Sequence, residues 1–350
     1  MISSLSVQHI TLRSEMKEDE MKKKKIKQLF HKICTKQNLK RVLVVIVTVF
    51  IAIMLIPFVK PLEVKWGDYT VQVKGMEARL TKYNGKDPIV QTPDYVWGRP
   101  VTTIGCNCFS NDYIENVNLS KNVKVIDCDA FYGCDNLQGV NAENVVEIGM
   151  GAFFEDKKLK SVDLGTHLEI IGDCAFKYCT SLEYIPSPDS LQRIDSMAFE
   201  CSGLTEVGDL SGVNLEADHI FDGTPWMEKQ QGDYVVINGV LQKYKGEGSI
   251  SVIPDTVEVI TTAYGYHPDR NISVYIPSST TKIVAVDLML SEKYTVYIPE
   301  NVEFIDYSPY MNEPYLAKII TVSGSYAEQY AKEHGMNYEI VDGWEVPEEK

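Results

Sequence analysis

Apolar residues recur along this chain with two interleaved spacings, one of two residues and one of 22 or 23. The longer is set by Phe109, Phe131, Phe153, Phe176, Phe199 and Phe221, which lie 22, 22, 23, 23 and 22 residues apart. Five positions before a Phe stands Ile104, Ile126, Ile148, Ile171 or Ile194, and directly before it Cys108, Ala130, Ala152, Ala175 or Ala198. Six residues beyond come Leu137, Leu159 and Leu182, with Leu204 five beyond. The two-residue period then takes over around Val117, Val140, Val162, Ile185 and Val207. A fixed period of this length predicts a solenoid. Each coil is too short to bury its own apolar side and must stack on its neighbours.

The two-residue stretch reads as a strand, so one coil is a strand, a corner, a short helical or 3₁₀ segment and a return. Neighbouring strands then pair in parallel, and Ile, Phe, Leu and Val stack into internal columns. Each such residue contributes roughly 1.5–3 kcal/mol when fully buried, which offsets the ordering cost of a coil only once coils are stacked. The residue after the Ile is Gly105, Asp127, Gly149, Gly172 or Asp195. Gly takes positive φ without penalty and Asp tolerates it better than most, so this position is expected to be the corner.

The compound motif Ile171-Gly172-Asp173-Cys174-Ala175-Phe176-Lys177-Tyr178-Cys179-Thr180-Ser181-Leu182 resembles the repeat of BspA-like leucine-rich repeat proteins. Pro100 to Gly105 resembles the way such arrays begin, Gly223-Thr224-Pro225-Trp226 and Asp233 to Leu241 an interruption between two blocks, and Gly324 to Ala331 the usual close. The resemblance covers roughly residues 66–341. It implies a leucine-rich repeat fold and a role in attachment to host matrix proteins or other cells. The second block departs from the motif. Val257 to Ile260, Val274 to Pro277 and Val296 to Pro299 keep the strand pattern, but Ala-Phe is absent, and Thr261 to Arg270 and Val284 to Glu292 are irregular.

Val42 to Val59 is an 18-residue stretch without a charge. As a helix it spans about 27 Å, enough for a bilayer core. Residues 1–41 carry eleven basic and four acidic residues, a net +7, and the rest of the chain carries 23 and 45, a net −22, so the overall −15 hides two opposite halves. The basic flank predicts a cytoplasmic N-terminus. Pro57-Phe58-Val59-Lys60-Pro61 lacks the small-x-small site of a cleavable signal peptide, so the stretch reads as an uncleaved signal anchor. The organisation expected is a basic cytoplasmic tail (1–41), a transmembrane helix (42–59), a juxtamembrane segment with an N-terminal cap (60–99), a first repeat block (100–226), a hairpin insertion (227–249), a divergent second block with its C-terminal cap (250–341) and a tail (342–350). Tyr69 to Val73 with Ala78 to Thr81, and Tyr234 to Tyr244 around Asn238-Gly239, read as hairpins. Tyr326 to His334 reads as a short helix covering the last coil.

Seven cysteines lie beyond the apolar stretch, spaced by the repeat rather than by any metal-site pattern. One reading makes them small buried side chains in a column. Another allows a bridge between Cys106 and Cys128, equivalent positions on adjacent coils about 5 Å apart. His167, His219, His267 and His334 have no metal spacing, no nucleophile elbow, phosphate loop or zinc motif is present, and neither an EF-hand loop nor a nonapeptide calcium repeat occurs. No cofactor is expected, and a domain at −22 is not drawn to nucleic acid. The residues flanking the inward Val or Ile face outward, forming a candidate binding face that includes Asn118, Asn141, Asp163, Tyr184, Glu206, Tyr275 and Tyr297. Such stripes serve solenoids in protein or glycan recognition. The expectation is a membrane-anchored, surface-displayed binding module without catalysis, its partner an extracellular protein or glycan. The alternative is an envelope scaffold or an enzyme's partner.

Overall fold

The structure, a computed structural model, describes residues 21–28, 43–49, 51, 60–110, 113–261, 270–284, 292–306 and 317–347. The chain divides into two compact units, Met1–Leu62 and Glu63–Lys350. In the first, residues 21–28 and 43–49 are helical with exposed side chains. Among the described residues no helix is long and apolar enough to cross a membrane; most of the 42–59 stretch lies outside them.

After the strand Leu62–Trp66, the second unit forms an antiparallel hairpin of Tyr69–Lys74 and Glu77–Tyr83, in which Val71 faces Leu80 and Val73 faces Ala78. All four are buried and start the core. Glu77–Tyr83 passes its free edge in parallel to Arg99–Ile104. From there a ladder of two-residue strands runs in register through Ile104, Ile126, Ile148, Ile171 and Ile194. A second parallel ladder aligns Val90, Val117, Val140 and Val162. Each coil therefore contributes two strands, one around its Ile and one around its Val, where the sequence pattern predicts one.

Between the ladders the six phenylalanines form one column, fully buried, with ring centroids 4.8, 5.0, 5.0, 5.3 and 5.7 Å apart and planes within 7° of parallel. Tyr83 extends it at one end and Trp226 at the other. The Phe-bearing segment is a run of turns rather than the expected short helix. The N–H groups of Ala130, Tyr132 and Cys134 bond three residues back in their own coil, while those of Asp129, Phe131 and Gly133 donate to Met150, Ala152 and Phe154 of the next. A helix would spend every donor within its own coil. The turns divert every second donor to the neighbour and so continue the ladder.

The corner is also not where the glycines suggest. Positive φ falls two residues later, at Asn107, Asp129, Gly151, Cys174, Met197 and His219, with values of 53–61°. Gly149 and Gly172 serve close approach instead: a Cβ on either would come within 2.9 Å of the backbone of the preceding coil.

The helix Pro225–Lys229, capped by Thr224, closes the first block. The hairpin Tyr234–Ile237 and Val240–Tyr244 turns through Asn238 and Gly239, both at positive φ as a type I′ turn requires. It leads into Val259–Ile260, Lys282–Ile283 and Phe304–Ile305. A second sheet stacks Ile250–Val252, Ile272–Tyr275, Tyr294–Tyr297, Lys318–Thr321 and Tyr338–Ile340 in parallel. The irregular segments after Ile260 and Ile283 fall largely outside the described residues. The helix Tyr326–Glu333 buries Ala327, Tyr330 and Ala331 in the second core, its first turn capped by the Ser325 hydroxyl.

Cys106 and Cys128 form a disulfide with Cα atoms 4.9 Å apart. Cys108, Cys134 and Cys179 are buried, whereas Cys174 and Cys201 occupy positive-φ positions at the surface and are only half-buried. The reading as small buried side chains thus holds for three of the seven, Cys108 in the position of the alanines before each Phe and Cys134 and Cys179 three residues after theirs.

Candidate binding surface

Alternation along a strand sends Val117, Val140 and Val162 inward, each at most 4% exposed, and their neighbours outward. In the first block Gln91, Asn118, Asn141 and Asp163 stand in register on four adjacent strands, all exposed. They make a ladder of three amides and a carboxylate. Gly139 lies beside Asn116 in the parallel column, and a Cβ there would come within 3.0 Å of the Asn116 Oδ1.

Tyr184 pairs with Glu206 on the next two strands and is 49% exposed. In the second block Tyr275 and Tyr297 are register partners whose rings stack at 4.2 Å and 9°. Burial above all, and then the adjacent Tyr297 hydroxyl, push the Tyr275 phenol up to about 12. Trp344 packs against Tyr297 at 5.7 Å. The seven candidate residues therefore fall into three groups in three sheets, not one patch. Trp344 gave no signal in the sequence, because a lone aromatic in an acidic tail has no period.

A further aromatic row stands on the outer side of the turns. Tyr132 stacks on Phe154 at 5.4 Å, Phe154 meets the edge of Tyr178 at 5.7 Å, and the Lys177 ammonium lies 5.4 Å from the Tyr178 ring. Its signal was present in the sequence: Tyr132 and Phe154 each follow a column Phe directly.

The titratable groups read as structural. Among the described residues the one group able to hold a metal is Cys106, Asp127 and Cys128. Its sulfurs are bonded to each other, and the Arg79 guanidinium pairs with Asp127 and reaches Cys106 Sγ at 3.5 Å. A cation already fills the place a metal would take. His219 Nδ1 lies 2.8 Å from Asp222, which Lys243 also contacts; despite burial these partners hold its carboxyl below the usual range.

Three residues after each Phe runs a polar inward column of Cys134, Asp156, Cys179, Ser202 and Thr224. Cys134 and Cys179 donate their thiols to the Phe carbonyl of the preceding coil, at 2.8 and 3.0 Å. Asp156 Oδ1 accepts from the Cys134 N–H at 2.7 Å, and among the described residues nothing bonds its Oδ2.

Six copies of the BspA type leucine rich repeat match residues 102–225. This part of the chain is a BspA-type leucine-rich repeat region. The boundaries agree with the Phe column and its closing helix, and they stop short of the divergent second block. No curated protein matches the chain. Among solved structures, a leucine rich cell surface protein from Faecalibacterium prausnitzii is 20% identical, with 81% of this chain and 96% of that one covered at a TM-score of 0.39. A leucine-rich repeat protein from Eubacterium ventriosum is 18% identical over 74% and 71% of the two chains, with a TM-score of 0.37. The pneumococcal vaccine antigen PcpA is 12% identical over 81% and 99%, with a TM-score of 0.38.

Proposed function

We propose that the chain is a membrane-anchored recognition module that binds an extended extracellular ligand along its outward strand face and carries out no reaction itself. The observation that carries this reading is the in-register ladder of exposed Gln91, Asn118, Asn141 and Asp163, four polar side chains held at strand spacing on a rigid core. The period aligns whatever side chains stand there, and what supports recognition is that these are polar and exposed, since solenoids bind through extended surfaces of this kind. The anchor is the uncharged stretch 42–59, with the lysine-rich residues 1–41 on the cytoplasmic side.

The test is capture by residues 62–350 of matrix proteins, glycans or envelope components. Tyr275→Ser with Tyr297→Ser and, separately, Asn118→Ala with Asn141→Ala report which part of the face is used. A ligand held by this face loses about tenfold or more in affinity, about 1.4 kcal/mol, to one of the pairs. A ligand indifferent to both refutes the assignment of the face. The tyrosine pair also releases Trp344, so its unfolding temperature is compared with that of Trp344→Ala.

A further inference from the structure

At the N-terminal end of the strand face lies a cleft of about 620 Å³ whose lining includes Trp66, Asp68, Tyr69, Gln91, Thr92 and Asp94. Trp66 ends the strand Leu62–Trp66 and leaves 40% of its surface exposed. Asp68 is exposed. Asp94 takes the Ser120 hydroxyl on Oδ1 at 2.7 Å, which leaves its other oxygen open. The floor is fixed, because the buried Thr92 Oγ1 accepts the Ser120 N–H at 2.7 Å. Gln91 belongs both to the cleft and to the ladder, where it is the register partner of Asn118. Gln91 therefore joins the cleft to the ladder that continues through Asn118, Asn141 and Asp163.

We infer that this cleft binds one end of a neutral, hydroxyl-rich glycan chain whose following sugars lie along the ladder. The inference rests on the reading of the strand face as a recognition surface. A pyranose offers a C–H face to an indole and hydroxyls to acceptors, and carboxylates and amide oxygens are acceptors. An aromatic wall with a few placed polar groups is the usual make-up of a small-ligand site. The cleft has no lysine or arginine in its lining, while Asp68 and Asp94 repel uronic, sialic or sulfated sugars. An added peptide strand is disfavoured at this edge, because the Tyr69 hydroxyl already holds the Gln91 carbonyl at 3.1 Å.

The test uses the full-length chain in a detergent without a sugar headgroup, titrated calorimetrically with cellohexaose, laminarihexaose, maltohexaose and N-acetylchitohexaose, their disaccharides, and a heparin hexasaccharide. At least one neutral hexasaccharide binds below about 1 mM, its disaccharide about tenfold more weakly, and heparin not at all. Trp66→Ala weakens binding about tenfold or more while Trp66→Phe retains most of it, which separates loss of the ring from loss of fold. Asn118→Ala weakens the hexasaccharide and leaves the disaccharide unchanged. If all four neutral hexasaccharides fail to bind, or Trp66→Ala binds as the natural chain does, the inference falls. So it does if a peptide ligand needs Trp66 and the sugars do not displace it. The broader reading survives that outcome whenever a captured ligand still depends on Asn118 and Asn141 or on Tyr275 and Tyr297.

Discussion

Replacing Asp156 by Asn tests the inward columns through a proton. The carboxyl is fully buried in the polar column between Cys134 and Cys179. Burial above all, opposed by the Cys134 N–H and reinforced by Asp135, pushes its pKa up to about 9 from 3.8. In the flanking coils a thiol donates to the Phe carbonyl of the coil before; at this coil the equivalent group is Asp156 Oδ2, buried and with no partner among the described residues. The folded chain thus keeps a proton that the unfolded chain releases at ordinary carboxylate pH. For an acid raised in this way, stability is full below about pH 4, falls as pH rises towards about 9, and is level beyond. The slope is one proton, about 1.4 kcal/mol per pH unit. Between pH 5 and pH 7, both inside the window, this residue alone removes roughly 2.7 kcal/mol. Asp156→Asn retains the shape, keeps an acceptor for Cys134 and supplies a permanent donor. Urea unfolding of residues 62–350 at pH 5, 6 and 7, followed by far-UV circular dichroism, is compared between the two proteins. The stability difference should move in favour of Asn by roughly 2.7 kcal/mol over that range at unchanged m-value. A difference constant to within about 0.5 kcal/mol would mean that Asp156 is ionised in the fold and that the column does not hold a proton.

Other perturbations report on other parts of the architecture. Phe153 is fully buried and stacked at 5.0 Å on both Phe131 and Phe176, so Phe153→Ala should cost roughly 3–5 kcal/mol in the same urea assay. Lys158→Ala, which loses one exposed hydrogen bond to Asn136, should stay within about 0.5 kcal/mol, and equal effects would reverse the inward and outward assignments. Cys106→Ser opens a loop of 22 residues and should cost about 3 kcal/mol. A variant as stable as the natural chain under oxidising conditions would show that the bridge adds nothing to the clasp made by Arg79 and Asp127. Protease added to intact cells should digest the chain beyond residue 60 and spare residues 1–41, and protection of the repeats would mean the opposite orientation.

The repeat period, the inward Ile, Phe, Leu and Val, the two hairpins and the last helix were all legible in the sequence. Each is dictated by burial or by the φ demands of a turn within one coil, and both are local. The register of Asn118 on Asn141 on Asp163 followed as well, because a constant period aligns equivalent residues. What the sequence left open depends on contacts between coils. The turn segments alternate their N–H groups between their own coil and the next, so positive φ fell at Asp129 and Met197 rather than at the neighbouring Asp127 and Asp195. Gly149 and Gly172 answer to the backbone beneath them. Whether Cys106 bridges Cys128 while Cys174 and Cys201 stay apart is decided by which column each occupies and how those columns face. Trp344 against Tyr297, and Trp66 beside Gln91, join residues about 47 and 25 positions apart through surfaces that no periodicity links. One-dimensional order made the scaffold readable from the chain alone; the outward surface carries little burial energy and took its form only when the coils were stacked.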